Sequence, residues 1–136
     1  MGAVTGRTDK AGYDYIFTFL PATLAATTDT QDHMVFECPA ACTVFEVSVT
    51  PSLAITGADT NSRNLNVDIP DGTEVGNHDF ASGTDGVAGT SIVLYTSATG
   101  TALAAGENIA IESEEVGTGL AAAFPDFAVR IKLQWN

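Results

Sequence analysis

The sequence predicts an all-β fold: an antiparallel β-sandwich, jelly-roll-like, with about seven or eight strands behind an extended N-terminal arm. Three observations predict it. Apolar residues recur at every second position in several short segments. Clusters of Gly, Pro, Asp, Asn and Thr separate those segments. No window carries an amphipathic helical pattern, and the best alternative, "TALAAGEN" (101–108), is short and contains Gly106.

Taken in order, residues 1–12, "MGAVTGRTDKAG", are small and polar and hold three Gly and two of the chain's five basic residues, Arg7 and Lys10. They are expected to form an arm that orders only against a partner. Strands are expected over "YDYIFTFL" (13–20) and "HMVFEC" (33–38). Between Cys38 and Cys42 the segment "PAA" turns the chain, because Pro39 lacks a backbone donor and sits well where a strand has ended. "TVFEVSV" (43–49) then sets Phe45, Val47 and Val49 against Val44, Glu46 and Ser48, and "NLNVDI" (64–69) sets Leu65, Val67 and Ile69 against Asn64, Asn66 and Asp68.

Residues 70–90 are Gly-rich and acidic and read as one long loop or a weak edge hairpin. "SIVLYT" (91–96) and "NIAIESE" (108–114) are further strand candidates, and "GTG" (117–119) bends the chain towards the last one. That last strand, "FAVRIKLQW" (127–135), is the clearest: Phe127, Val129, Ile131, Leu133 and Trp135 share one face, and Ala128, Arg130, Lys132 and Gln134 the other. Without an internal repeat, residues 13–136 are expected to make a single domain.

Composition narrows the function. Five Lys and Arg stand against 17 Asp and Glu, a net charge of −12 with a pI near 4.1. A surface this negative repels phosphate backbones and anionic lipid, so neither nucleic acid nor membrane is an expected partner. No apolar run is long enough for a transmembrane helix, and Met1 to Gly12 lacks a secretory h-region, so a cytoplasmically made product is expected.

The chemistry-bearing residues do not converge. Cys38 and Cys42 form C-x3-C rather than C-x2-C, and with His33 and His78 they only just reach the ligand count of a zinc site. A corner is the expected role, with the thiols either free or bridged. The two histidines stand in "DH" and "HD" dipeptides whose members face opposite sides of a strand. Glu112 and Glu114 share a strand face, as a glycosidase acid and base would, but an acidic solvated edge is the expectation. Asp68, Asp71, Glu74, Asp79 and Asp85 crowd a Gly-rich region without the pattern of an EF-hand loop. No catalytic residue, metal or cofactor is therefore assigned, and the chain is not expected to be an enzyme.

Two runs carry a resemblance. "CPAACTVFEVSVTPSLAITGADTNSRNLNV" (38–67) and "LAAGENIAIESEEVGTGLAAAFPDFAVRIKL" (103–133) resemble small proteins encoded in the head and structural gene regions of tailed bacteriophages. The likeness lies in Val49, Thr50 and Pro51, in Ile55 to Asn61, in Ala104 to Glu107, and in Gly117, Thr118, Gly119 and Pro125; Glu107 stands where Asp is expected. The resemblance implies a virion component, most naturally a capsid decoration or cement protein on the outer surface of the head. Such a protein binds the major capsid protein across subunit joints, often as a homo-oligomer, with a trimer favoured here. The expected capsid contact is the arm and first strand, Arg7, Lys10, Tyr13, Tyr15 and Phe17, because cations and aromatics cluster there on an otherwise acidic chain. The alternative is a carbohydrate-binding module of a head or tail appendage, with Tyr95 or Trp135 as the sugar platform.

Overall fold

Period-two alternation translates into burial. In the last strand Phe127, Val129, Ile131 and Leu133 are all buried, while Ala128, Arg130, Lys132 and Gln134 point away from the core. Removing a Val, Leu, Ile or Phe side chain from water stabilises the fold by roughly 1.5–3 kcal/mol, so one such strand face commits its register strongly.

A computed structural model describes residues 4–5, 12–22, 31–118, 120 and 122–136. Its strands are β1 (Val4–Thr5), β2 (Asp14–Leu20), β3 (Gln31–Glu37), β4 (Cys42–Pro51), β5 (Ser62–Asp68), β6 (Glu74–Asp79), β7 (Ile92–Leu103), β8 (Asn108–Val116) and β9 (Phe127–Trp135). All pair antiparallel, in a five-stranded sheet of order β1-β2-β9-β4-β7 and a four-stranded sheet of order β3-β8-β5-β6. The protein is an all-β sandwich, and no helix occurs among the described residues.

The pairing has a simple logic. Strands β5 and β6 are an inner hairpin; β4 pairs with β7, β3 with β8 and β2 with β9 on progressively longer spans. This ribbon is wrapped so that β9 also lies beside β4, and β8 beside β5. The inward faces of both sheets then enclose one core, in which Phe80, Phe124 and Phe127 meet edge to face with ring centroids 5.2 and 5.7 Å apart. Arg63 is buried in the same region, 1% exposed, with its Nη1 donating to Ser113 Oγ at 3.0 Å and its guanidinium 6.0 Å from the Phe124 ring.

One sequence reading changes and one open choice is decided. Strict alternation places Phe45 inward with Val47 and Val49, but a β-bulge between Val44 and Glu46 turns Val44 into the core and Phe45 out of it. β7 bends away from β4 at the same level, through residues 97–100, where Gly100 has φ +75° and no room for a Cβ against the Thr43 side chain. In residues 70–90 the choice between loop and edge hairpin is decided, as β6 forms the edge partner of β5. Of the arm, Val4–Thr5 pairs with Phe17 and Ile16 of β2; Arg7 and Lys10 lie outside the described residues.

Candidate partner-binding face

Residues directly opposite each other in an antiparallel pair share a sheet face, so the register alone assembles a surface. Tyr15 of β2 lies opposite Lys132 of β9, which lies opposite Glu46 of β4. Phe17 is opposite Arg130, Arg130 opposite Ser48, and Ser48 opposite Val93 of β7. Phe19 is opposite Ala128. The outward face of the five-stranded sheet is therefore built mainly from aromatic, cationic and small residues, with Glu46 and Val93 among them.

Side chains tie this face together. Lys132 Nζ sits 4.1 Å from the centroid of the Tyr13 ring, and Tyr13 meets Phe45 edge to face at 5.1 Å, a contact the β4 bulge makes possible. The Arg130 guanidinium lies 5.8 Å from the Tyr15 ring and its Nη2 donates to Glu46 Oε1 at 2.7 Å. That ion pair is partly exposed, so it orients Arg130 more than it stabilises the fold, with a contribution of roughly 0–1 kcal/mol. Phe17 remains 47% exposed, Phe19 38% and Val93 49%. Phe17 and Arg130 rim a shallow hollow of about 200 Å³ over Ser48 and Thr50, and Phe19 rims a second of about 450 Å³ beside Gly89 and Asp126.

Charge separates the two faces of the sandwich. Of the five basic residues, Arg63 is buried, Arg7 and Lys10 lie outside the described residues, and Arg130 and Lys132 both belong to this face. On the outward face of the other sheet, Asp32 lies opposite Glu112, Glu112 opposite Asn66, and Asn64 opposite both Glu114 and Asp79. Asn66 Nδ2 bridges Glu112 Oε1 at 3.0 Å and Glu114 Oε2 at 2.8 Å. Burial and the neighbouring Asp32 and Asp68 raise the Glu112 carboxyl above its ordinary value, against the hydrogen bond from Asn66; burial and nearby carboxylates likewise raise Asp68.

Of the sequence-predicted contact residues, Tyr13, Tyr15 and Phe17 come together on the aromatic face. Arg130 and Lys132 were legible as the outward side of the last strand, yet only the β2–β9 register shows that they join the tyrosines. The acidic pair Glu112 and Glu114 lies on a central strand, β8, and not at a sheet edge. His33 and His78 are half-buried rather than on the open surface, and burial lowers both below the ordinary imidazole value. Among the described residues no group of three or more His, Cys, Asp or Glu side chains is placed to hold a metal ion. Two of the five carboxylates in this region bind backbone amides: Asp68 accepts from the Gly72 N–H at 3.3 Å across the turn after β5, and Asp85 from the Gly57 N–H at 2.8 Å, joining two loops.

Tyr95 is 7% exposed, with its hydroxyl 2.6 Å from Thr101 Oγ1, so it offers no ring face to a sugar. Trp135 is partly exposed and its Nε1 donates to Asp14 Oδ2 at 2.8 Å. Cys38 and Cys42 are both buried, with burial and the adjacent Cys38 pushing the Cys42 thiol up to about 12. No family model, curated protein or solved structure matches the chain.

Proposed function

We propose that this protein is a capsid decoration, or cement, protein of a tailed-phage head, and that it grips the major capsid protein through the outward face of its five-stranded sheet. The observation that carries the reading is the coincidence, on one face of a chain of net charge −12, of Tyr13, Tyr15, Phe17 and Phe19 with Arg130 and Lys132. Aromatic rings and arginine are the groups enriched at the centres of protein interfaces, and the acidic face of the opposite sheet disfavours non-specific association. The partner surface this face fits is apolar at its centre, with carboxylates placed to meet Arg130 and Lys132.

The strand order supports a jelly roll, the architecture of many viral capsid and lectin domains: a ribbon of paired strands wrapped into sheets β2-β9-β4-β7 and β3-β8-β5-β6, with β1 added at one edge. A homotrimer bound at the three-fold positions of the shell follows the symmetry such proteins decorate. The rival reading, a carbohydrate-binding module, loses Tyr95 to the interior and keeps Trp135.

The reading is tested by heating empty phage heads with and without the purified protein. A raised rupture temperature that saturates at a fixed number of copies per capsomer supports it. An unchanged rupture temperature with no protein sedimenting alongside the heads refutes it.

A further inference from the structure

Cys38 directly follows β3 and Cys42 opens β4, so the two thiols stand on either side of the chain's passage from one sheet to the other. Their Sγ atoms are 3.1 Å apart, four positions apart in sequence, and both residues are fully buried. Neither is bonded in this structure; Cys38 Sγ donates to Ala40 O at 2.6 Å. A disulfide bond is about 2.05 Å long, so bridging asks for roughly 1 Å of approach between atoms that already face each other.

The corner around them is held in place. Cys38 N–H donates to Glu107 O at 2.8 Å, Gly106 N–H donates to Cys38 O at 2.7 Å, and Asn136 N–H donates to Ala41 O at 3.0 Å. Residues 104–107 are the other short passage between the sheets, from β7 to β8, so both passages and the end of β9 meet at this one end of the sandwich. A cross-link there fixes the point where three segments are joined. It would do so without altering either outward face.

We infer that Cys38 and Cys42 are a built disulfide site, an intramolecular bridge that the folded corner favours over the dithiol when a small-molecule disulfide is the oxidant. The inference goes beyond the proposed function and does not depend on it. In the exchange, Cys38 sulfur attacks one sulfur of the oxidant, releasing one small thiol and leaving a mixed disulfide. Cys42 sulfur then attacks the Cys38 sulfur and displaces the second small thiol. The protein loses two electrons and two protons, and the oxidant is reduced to two thiols that carry those protons away.

The test equilibrates the full chain in buffers of reduced and oxidised glutathione, once under native conditions and once in denaturant, followed by acid quench, alkylation and intact-mass measurement. Starting from unfolded, reduced chain and letting it refold in the buffer removes burial as a barrier to exchange. Native protein is expected to be a monomer about 2 Da lighter and closed to alkylation, with an oxidation equilibrium constant at least tenfold above that in denaturant. The bridged form is also expected to melt roughly 5 °C above the reduced form. Two alkylated thiols in the native protein, an equilibrium constant no larger than in denaturant, a disulfide-linked dimer, or a bridged form that melts lower would each overturn the inference. Cys42→Ser serves as the control: it is expected to stop at the mixed disulfide on Cys38 or to stay unmodified, and the wild-type comparison decides the question even if that variant fails to fold.

Discussion

Phe17 and Lys132 concentrate the chemistry of the proposed contact, since one offers an exposed ring and the other a cation held over Tyr13. Phe17→Ala removes no core packing, so urea denaturation is expected to place its stability within about 1 kcal/mol of wild type, while sedimentation with heads shows at least tenfold weaker binding. Leu133→Ala does the converse. It empties a fully buried site on the inward side of β9 and is expected to cost about 2–5 kcal/mol in the same denaturation, with head binding by the folded fraction unchanged. Glu112 gives a third residue-scale prediction. Its carboxyl is raised in the folded state, so its contribution favours folding fully below the unfolded-state value and is lost as pH rises through the raised folded one. Glu112→Gln, which keeps an acceptor for Asn66, is therefore expected to melt above wild type at neutral pH, with the difference shrinking as pH falls below the ordinary carboxylate range. His33 and His78 act in the opposite direction, because lowered imidazoles lose stability as pH falls through their folded values, so only the difference between variant and wild type isolates Glu112.

At the scale of elements, strands whose alternation spans a whole face were legible. "FAVRIKLQW" forms β9 over the same residues, and "NLNVDI" falls in and just beyond β5, because a one-residue slip would expose every core side chain. Periodicity could not locate the β4 bulge, where backbone geometry rather than hydrophobic pattern decides which of Val44 and Phe45 turns inward. Nor could it choose between loop and edge hairpin for residues 70–90, because Gly76 and the polar residues of β6 carry little burial signal and pairing with β5 is what holds that strand in the sheet. Arg63 lies one residue before the segment that the alternation picks out, and nothing in the sequence revealed its burial against Phe124 and Ser113. The bulge makes its own prediction. Gly100→Ala is expected to destabilise by roughly 2 kcal/mol or more in urea denaturation, combining a left-handed backbone with collision against Thr43. Gly106→Ala, with similar φ but open space at the Cβ, is expected to cost less.

Over the whole molecule, the sandwich is two-faced: an aromatic and cationic sheet surface backs onto one dominated by carboxylates. The composition announced the acidic excess but not its segregation, which depends on which strands become neighbours at long sequence separation. The tyrosines at 13 and 15 and the cations at 130 and 132 lie at opposite ends of the chain, and only closure of β2 on β9 joins them. Attraction between two partly exposed cations and a partner's carboxylates is screened by salt, so head binding is expected to weaken as ionic strength rises while the aromatic contribution persists. Lys132→Glu is expected to flatten that salt dependence in a binding titration.

In the proposed contact the outward face of the five-stranded sheet seats on the shell. This seating is tested most directly by cryo-EM of empty heads decorated with the wild-type protein. Ordered density is expected at the joints between major capsid subunits, with Phe17, Arg130 and Lys132 turned towards the shell and the Glu112 face towards solvent. Decoration through the Glu112 face, or heads left bare at saturating protein, would contradict it.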